Sequence, residues 1–342
     1  MKIIVDVMGG DRPEEVVQGA IAALNQKKGF SLVLAGKESF INERLQTLSF
    51  DKERVEILPA TEEITCNDEP TVAIKKKTGS SLVMGLEKLK ADDEVVGLIS
   101  AGSTGAVLAG GFLKIGRLKG VSRPALAPLL PTVTGGKVLL IDSGANADCK
   151  PLNLCHFALM GSEYFKAAFG TEEPRVALLC NGTEDEKGCA LTKAAFSLLS
   201  NMPGVRFVGN MEARDITSGN YDVIVSDGFS GNVALKATEG GCMAVMKLLK
   251  EGIKSSLRAK LGALLLKPVL YGLKKRLDVN GQGGAPFLGL KKPVMKVHGS
   301  AKAPAVTGAV LQILQLAEKD LSAEISRSIE ALPEGFGMEQ AQ

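Results

Sequence analysis

The sequence predicts an α/β fold in which a largely parallel β-sheet carries helices on both faces. Short runs rich in Val, Ile and Leu alternate with helical patterns along nearly all of the 342 residues. These runs are continuously apolar, which is typical of strands buried on both faces of a parallel sheet. Several predicted helices carry a proline near the first turn, where no intrahelical hydrogen bond is lost. The resulting order is that of consecutive βαβ units.

The boundaries of the elements follow from the same patterns. Eight strands are predicted at residues 2–7, 31–35, 54–58, 95–99, 137–141, 175–180, 205–208 and 222–225. Seven helices are predicted at residues 13–26, 70–90, 104–118, 152–169, 187–199, 231–266 and 304–332. A chain of this length can bury a large core, so we expect residues 1–342 to form one two-lobed domain. A helical extension is expected within it at residues 245–280.

Composition argues against several classes of protein. The chain has no Trp and three Tyr, which argues against binding nucleic acid by base stacking. Its net charge of +3 gives no general preference for polyanions. The six cysteines show no CxxC spacing, which favours reduced thiols in a cytoplasmic protein. No signal peptide and no apolar run of about 20 residues is found, so any membrane contact is expected to be peripheral.

One six-residue pattern, Ser-x-Gly-x-(Ser/Thr)-Gly, occurs twice, at residues 100–105 and 226–231. Each copy follows a predicted strand and precedes a predicted helix. Glycines let the backbone approach a ligand, hydroxyls donate hydrogen bonds, and a helix N-terminus favours negative charge. The copies therefore predict phosphate binding. Neither is followed by the Gly-Lys-(Ser/Thr) of a Walker motif, which argues against nucleoside triphosphate hydrolysis. The predicted phosphate-binding residues are Gly102, Ser103, Thr104, Gly105, Gly228, Ser230 and Gly231.

Further polar loops follow the predicted strands, at residues 6–11, 142–146, 181–185 and 209–214. Each loop alone is explained by the turn preferences of Gly, Asn, Asp and Ser. Ligands of parallel α/β sheets bind beyond the carboxyl ends of the strands, where such loops meet. Together with the two repeated loops, they predict one shared site.

The chain is poor in general bases. It has two histidines: His156 is expected to pack on an apolar helix, and His298 lies in a loop and is the better functional candidate. No zinc-hydrolase or Ser-hydrolase motif and no dinucleotide fingerprint is present. Phosphate needs little activation as a nucleophile, and a thiolate is a tolerable leaving group. A phosphate-dependent acyl transfer from a thioester, catalysed by positioning and by oxyanion stabilisation, fits this set of residues.

A basic amphipathic segment spans residues 247–277, where nine basic residues accompany one acid, Glu251. Its apolar residues recur at four-residue steps, and Pro268 is expected to interrupt the helix. We expect an exposed apolar tip that contacts an anionic membrane surface through Leu264, Leu265, Leu266 and Leu270. A dimer-forming helical pair and a core helix with one solvated face remain as alternatives.

Eight blocks of the chain, in order, match a family. They are VDVMGGD, ISAGSTGAVLAGG, RPALAPLLPT, DSGANADCKP, NGTEDEKG, GNMEARD, SDGFSGNVALK and KVHGS. They are distributed along the chain, and the resemblance, which covers essentially the whole chain, is to the phosphate acyltransferases that make acyl phosphate from acyl-acyl-carrier-protein. The resemblance implies a fold like isocitrate and isopropylmalate dehydrogenases and phosphotransacetylases, a homodimer, and loose membrane association. It also implies that acyl phosphate passes to a membrane glycerol-3-phosphate acyltransferase in phospholipid synthesis.

Roles can be assigned under this hypothesis, in which inorganic phosphate and acyl carrier protein are the reaction partners. Lys236 is expected to stabilise negative charge, and Asp142 and Asp227 to position it or to handle the thiol proton. Asn232 completes the predicted catalytic group. Asn146, Asn181, Thr183 and His298 are expected to orient the acyl phosphate or the pantetheine arm. No cofactor and no metal is expected.

Three alternatives remain open. A phosphate acetyl- or butyryltransferase that acts on acyl-coenzyme A would need similar loops, but it would not need the basic amphipathic segment. A non-catalytic peripheral membrane adaptor would use the loops only to bind anionic groups. A dehydrogenase on the same fold is the weakest alternative, because the chain lacks a dinucleotide fingerprint.

Overall fold

Two sheets of mostly parallel strands form the framework of the computed structural model, which describes residues 1–276 and 283–337. The strands are β1 (Lys2–Asp6), β2 (Ser31–Gly36), β3 (Val55–Pro59), β4 (Val95–Ser100), β5 (Ala125–Leu126), β6 (Leu129–Pro131), β7 (Lys137–Ile141), β8 (Arg175–Cys180), β9 (Arg206–Glu212), β10 (Val223–Val225), β11 (Ala285–Leu288) and β12 (Val294–Lys296). All eight predicted strands are present, with boundaries shifted by a few residues.

The first sheet has the order β3-β2-β1-β4-β12-β11-β5, and its first five strands are parallel. The second has the order β6-β7-β10-β8-β9, and only β6 in it is antiparallel. The predicted sheet is therefore largely parallel, as expected, but it is divided into two. Residues Ala127 and Pro128 carry the chain from β5 in one sheet to β6 in the other.

Helices cover both sheets. They are α1 (Pro13–Gln26), α2 (Glu38–Leu45), α3 (Pro70–Lys76), α4 (Ser81–Ala91), α5 (Thr104–Gly110), α6 (Pro151–Phe169), α7 (Ala190–Leu199), α8 (Gly228–Lys254), α9 (Leu257–Leu265), α10 (Lys267–Arg276), α11 (Ala303–Glu318) and α12 (Leu321–Glu330). A π-helical turn at Gly111–Ile115 continues α5.

Three predicted helices are divided in the structure. The one at 70–90 becomes α3 and α4, because the Ser80 hydroxyl accepts a hydrogen bond from Val83 N–H and starts a new helix. The one at 231–266 starts earlier, at Gly228, and is interrupted where Ser256 caps α9. The one at 304–332 is interrupted at Asp320, whose backbone is left-handed with a φ of 46°.

The largest apolar core runs through both sheets. Helix α6 lies at its centre, where Phe157 and Tyr164 are fully buried. Helices α1 and α11 pack against each other, and their residues Val17 and Val306 are fully buried in the same core. A second core, between α4, α5 and the first sheet, includes Leu86. Burial of this extent fixes the two sheets relative to each other and so positions the loops at their carboxyl ends.

The basic amphipathic segment forms the end of α8 together with α9 and α10. Pro268 lies in the first turn of α10, so the helix is interrupted there as predicted. The apolar side chains around it are exposed: Leu265 by 84% and Leu264 by 65%. Residues 277–280 of the predicted extension lie outside the described residues. Within the part of the chain that the structure describes, no helix is long and apolar enough to cross a membrane.

The loop after β7 supports the start of α8 by direct backbone contact. A Cβ atom placed on Gly231 would lie 1.9 Å from the carbonyl oxygen of Asp142 and 2.4 Å from Ser226 Oγ. A Cβ on Gly228 would lie 2.7–2.9 Å from backbone atoms of Asn146. Neither contact can be relieved by moving a flexible side chain, so both positions require glycine.

We therefore expect Gly231→Ala to lower the free energy of unfolding by roughly 3 kcal/mol, the upper part of the range for overpacking. Gly240→Ala on the same helix is the control, because a Cβ there meets no atom within 4 Å. That change should raise stability by about 0.5–1 kcal/mol through helix propensity. Urea titration of both variants measures the difference. Equal stability of the two would contradict the packing argument.

Candidate active site

The first repeated loop, residues 100–105, is anchored by its first serine. Ser100 Oγ donates a 2.6 Å hydrogen bond to Asp6 Oδ2 and accepts one of 3.0 Å from Gly102 N–H. Asp6 is buried and also accepts a 2.6 Å hydrogen bond from Ser81. Burial raises the pKa of Asp6, and the bonds from Ser100 and Ser81 oppose that shift. The Gly102 N–H is therefore used inside the loop, and Ser100 has a structural role.

The second repeated loop, residues 226–231, is closed by hydrogen bonds. The Asp227 carboxylate caps α8 by accepting from Ser230 N–H at 2.8 Å. Gly228 N–H donates to the carbonyl of Asn146, and Gly231 N–H donates to the carbonyl of Asp227. The predicted phosphate-binding amides of Gly228 and Gly231 thus already have acceptors. In this conformation Asp227 acts as a helix cap. If its carboxylate took up a proton as a proton shuttle does, it would weaken the hydrogen bond that it accepts from Ser230 N–H.

Helix α5 begins differently. Ser103 occupies the position before its first turn, and its side chain makes no capping hydrogen bond. The first N–H groups of a helix have no intrahelical partner, so this end of α5 remains polar and uncapped. Thr104 is only partly buried and lines a cleft between the two sheets. Of the two similar loops, the first is the one with donors to offer a ligand.

This cleft joins residues from both sheets in a cavity of about 130 Å³. Three residues belong to the first sheet and its connections: Thr104 at the start of α5, Lys296 at the end of β12 and His298 in the loop that follows. Ser143, in the loop after β7, and Lys236, on α8, belong to the second sheet and its connections. The structure thus brings together three of the predicted residues, Thr104, Lys236 and His298, beside two that were not predicted.

Lys296 is the cation most enclosed by this cleft. Its ammonium donates to the carbonyl of Ala101 at 3.3 Å and to the carbonyl of Val297. Its pKa is lowered to about 8, mainly by burial and in small part by the charge of Lys236, while Asp11 and Asp6 oppose the shift. The KVHGS block contains this lysine, and its place at the end of β12 is the signal that sequence reasoning did not use.

His298 follows Lys296 by two residues and is neutral at pH 7. Its pKa is lowered by burial and by the charges of Lys296 and Lys236. Nδ1 accepts a 3.2 Å hydrogen bond from Ser300 N–H, so the hydrogen-bond pattern assigns the ring proton to Nε2. His298 therefore offers a hydrogen-bond donor to the cleft without a positive charge. By contrast, His156 is packed in the core as predicted, and burial lowers its pKa to about 4.

Lys236 lies opposite this pair, on the third turn of α8. Its side chain is 61% exposed and forms a 3.2 Å ion pair with Glu239 on the same helix. Glu239 lines the cleft as well. An exposed pair of this kind is weak, so an incoming anion can take the ammonium from Glu239.

Asp142 is the most heavily bonded carboxylate of the site. It accepts five hydrogen bonds: Oδ1 from the N–H groups of Leu126, Gly144 and Ala145, and Oδ2 from Asn146 N and Nδ2. Burial raises its pKa, and the bonds from Ala145 and Asn146 oppose the rise. Four of these bonds come from its own loop, and the fifth comes from Leu126 in β5. Asp142 therefore shapes the loop after β7 and has no free oxygen with which to position Lys236.

The remaining predicted residues are dispersed. Asn146 is buried and donates to the carbonyl of Pro124 at 2.8 Å. Asn232 is exposed beside Gly144. Asn181 and Thr183 are exposed in the loop after β8 and do not line the cleft. The structure brings the first two to the Asp142 loop and leaves the last two outside it.

Comparison with known proteins gives the family. The model of the family described as "Fatty acid synthesis protein" matches residues 1–324. "Phosphate acyltransferase" of Clostridium perfringens (strain SM101 / Type A) is 44% identical over 330 residues, which are 96% of this chain and 97% of that protein. "Phosphate acyltransferase" of Caldanaerobacter subterraneus subsp. tengcongensis is 45% identical over 331 residues, 96% of this chain and 98% of that protein. The chain belongs to the phosphate acyltransferase family.

Solved structures agree with this phosphate acyltransferase family assignment at the level of the fold. A phosphotransacetylase from Streptococcus pyogenes superposes with a TM-score of 0.61 at 18% identity, covering 93% of this chain and 94% of that one. A branched-chain phosphotransacylase from Enterococcus faecalis gives a TM-score of 0.55 at 13% identity, covering 92% and 99%. The predicted family, the phosphotransacetylase-like α/β fold and the prediction of an acyltransferase enzyme are confirmed.

Replacing Asp142 or Asp227 by asparagine should have different effects on the stability of this phosphate acyltransferase family member. In Asp142→Asn, an NH₂ group replaces one of the two oxygens that accept hydrogen bonds from N–H groups, so donors face each other. We therefore expect a loss of about 3 kcal/mol in the free energy of unfolding. Asp227→Asn keeps a good helix cap and should change stability by a few tenths of a kcal/mol at most. Urea titration of both variants tests this, and a destabilised Asp227→Asn beside an unaffected Asp142→Asn would reverse our assignment.

Proposed function

We propose that the protein transfers a fatty acyl group from acyl carrier protein to inorganic phosphate, releasing acyl phosphate for phospholipid synthesis. The observation that carries the proposal is the cleft in which Lys296 and Lys236 face Thr104 and Ser143. Two ammonium groups, the Thr104 hydroxyl and the neutral His298 donor suit a phosphate dianion and a developing oxyanion. The names of the relatives, and the fatty acid synthesis family model, support this choice of substrates.

The step needs no general base. A phosphate oxygen attacks the carbonyl carbon of the thioester, and the tetrahedral intermediate carries the negative charge on the former carbonyl oxygen. The C–S bond then breaks, and the thiolate leaves with the bonding electron pair and takes a proton from solvent. Lys296 and Thr104 hold the phosphate, while Lys236 and His298 Nε2–H stabilise the oxyanion. Ser143 borders the cleft on the opposite side and fixes the distance between the reactants.

We further propose that residues 1–342 act as one two-lobed catalytic domain. The largest apolar core passes through both sheets, and the cleft is lined by residues that belong to both halves of the chain. The shared core holds the two lobes in one arrangement, so the cleft between them is a fixed part of the domain.

A homodimer at an anionic membrane surface in the cytoplasm completes the proposal. On α8, Phe229, Met243 and Leu248 are each 67% exposed, which suits a surface covered by a second copy. The tip between α9 and α10 exposes Leu265 by 84% and Leu266 by 54% and is flanked by lysines, which suits a lipid interface. From there, acyl phosphate could pass to a membrane glycerol-3-phosphate acyltransferase.

The direct test is phosphate-dependent release of free thiol from hexadecanoyl-acyl carrier protein by the purified chain. We expect release to require phosphate and to fall with added salt, because the acidic carrier is attracted by lysine and arginine side chains. The same assay with acetyl-coenzyme A as the donor tests the acetyltransferase alternative. Turnover with acetyl-coenzyme A and none with the acyl carrier protein thioester would contradict our proposal and favour that alternative. Absence of phosphate-dependent release from any donor would leave the membrane adaptor as the better interpretation.

Lys296 makes phosphate binding sensitive to alkaline pH. Its pKa of about 8 lies below the ordinary value of 10.5, so the ammonium is charged below pH 8 and loses its charge as the pH rises above it. The KM for phosphate, corrected for the titration of phosphate itself, should therefore rise above pH 8. Lys296→Met should raise that KM by roughly 10- to 100-fold at pH 7, the value of a charge-assisted hydrogen bond.

Lys296→Arg is the matched control for this prediction, because a guanidinium stays charged throughout the range. Its KM for phosphate should be flat between pH 7 and 9.5. If wild type and Lys296→Arg share the same pH profile, then Lys296 does not hold the phosphate.

Flotation with vesicles that contain phosphatidylglycerol tests the membrane contact. Leu265→Glu places a carboxylate at the most exposed apolar position of the tip, so we expect it to abolish flotation. Val133→Glu is the control, because Val133 is also exposed, by 69%, but lies in a turn far from α9 in sequence. Light scattering of Leu265→Glu distinguishes the alternative: a monomer that still floats would assign the tip to the dimer interface.

A further inference from the structure

A second and larger cavity, of about 730 Å³, has no role in the chemistry described above. It runs along α5 and the π-helical turn that follows, and its other walls are the start of α3 and residues 117–124. Leu108, Ala109, Phe112 and Leu113 provide an apolar wall. Its volume lies in the range of small-molecule sites, about 300–1,000 Å³.

The cavity continues the cleft. Gly105 lines the cavity, and its neighbour Thr104 lines the cleft. Ala145 and Asn146 line the cavity, and Ser143 in the same loop lines the cleft. The two spaces therefore adjoin at the same two loops, and an occupant of the cavity ends beside the proposed phosphate site.

The wall along α5 is long and hydrocarbon in character. From Gly105 to Leu113 the helical rise amounts to roughly 12 Å. Phe112 and Leu113 are 43% and 44% exposed in the π-helical turn, although Ile115 of the same turn is buried. π-helical turns are frequent at functional sites, and this one directs two apolar side chains into open space.

Charge is confined to the rim. Glu69 lines the cavity, but its carboxylate caps α3 by accepting from the N–H groups of Thr71 and Val72 at 3.2 and 2.6 Å. The Arg117 guanidinium lies 5.3 Å from the centre of the Phe112 ring and donates to the carbonyl of Ser122. Arg123, at the same rim, is exposed. An anionic carrier could meet these cations while an aliphatic chain enters.

We propose that this groove binds the fatty acyl chain of the thioester and of the acyl phosphate, and that Ala109, Phe112 and Leu113 set the accepted chain length. The inference rests on the proposed function. A pantetheine arm would be the other occupant, but its amides need hydrogen-bond partners, and the side chains of the wall along α5, from Leu108 to Leu113, provide none. A methylene chain needs none, and it gains free energy with every group that is buried.

A fluorescence experiment tests the groove without depending on turnover. The chain has no Trp, so Leu113→Trp introduces a single tryptophan. Hexadecanoic acid brominated near its methyl end, below its micelle concentration, should quench the emission of this variant in a saturable way. Brominated butyric acid should not. Val72→Trp is the control on α3, at a position that is 45% exposed and outside the groove, and it should show no saturable quenching. Absence of saturable quenching in Leu113→Trp, or equal quenching in Val72→Trp, would overturn the inference.

Activity gives a second, independent test. Ala109→Phe fills the groove, so kcat/KM for hexadecanoyl donors should fall at least tenfold relative to butyryl donors on the same carrier, with Val72→Phe unchanged. An equal loss for both chain lengths in a folded variant would assign the groove to the pantetheine arm and overturn the inference. The two proposals can also fail separately. If the wild type is inactive with every donor but Leu113→Trp is quenched by the brominated hexadecanoic acid, the proposed function is rejected and the groove remains a fatty-chain site.

Discussion

The buried carboxylate of Asp142 is the constraint on which the candidate site depends. Its five hydrogen bonds fix the loop after β7, and three further contacts use that loop as a support. Ser226 Oγ donates to the carbonyl of Asp142 at 2.8 Å, Gly228 N–H donates to Asn146, and Gly231 packs on the Asp142 backbone. Since a buried, bonded carboxylate cannot move without exposing its donors, the cleft on one side of this loop and the groove on the other share one rigid wall.

The two similar loops show how one sequence pattern can produce two structures. In the second loop, the residue after the first serine is Asp227, which can cap a helix, and α8 begins directly after it at Gly228. In the first loop, the same position is Ala101, which has no acceptor, and α5 begins at Thr104, two places later in the pattern. The pattern therefore predicted two helix starts correctly. The pattern did not reveal that the backbone N–H groups of the second loop are occupied by internal hydrogen bonds, whereas the start of α5 in the first loop has no side-chain cap.

The limits of sequence reasoning follow from the lengths of the elements. The predicted strands were found because apolar residues buried on both faces leave a continuous signal, even in the three-residue Val-Ile-Val of β10. The four missed strands, β5, β6, β11 and β12, have two to four residues, and all four contain or adjoin a proline. Lys296 was missed for the same reason, since it ends one of these strands. Asp142 was selected as a catalytic candidate, whereas the structure shows its carboxylate holding the loop after β7. Its bond from Leu126 N–H could not be foreseen, because Leu126 reaches Asp142 only through the antiparallel pairing of residues 126–131 with β7 and the loop after it.

In the function that we propose, the reacting carbonyl lies at the boundary between the cationic cleft and the apolar groove. A fatty thioester changes from hydrocarbon to polar group within one bond, and the walls change in the same way between Gly105 and Thr104, and between Ala145 and Ser143. An acyl chain seated in the groove therefore holds its carbonyl within reach of Thr104 and Lys296 without a dedicated clamp. Binding energy from the chain then pays the entropic cost of orienting the carbonyl against phosphate, which is where an enzyme without a general base must gain its rate.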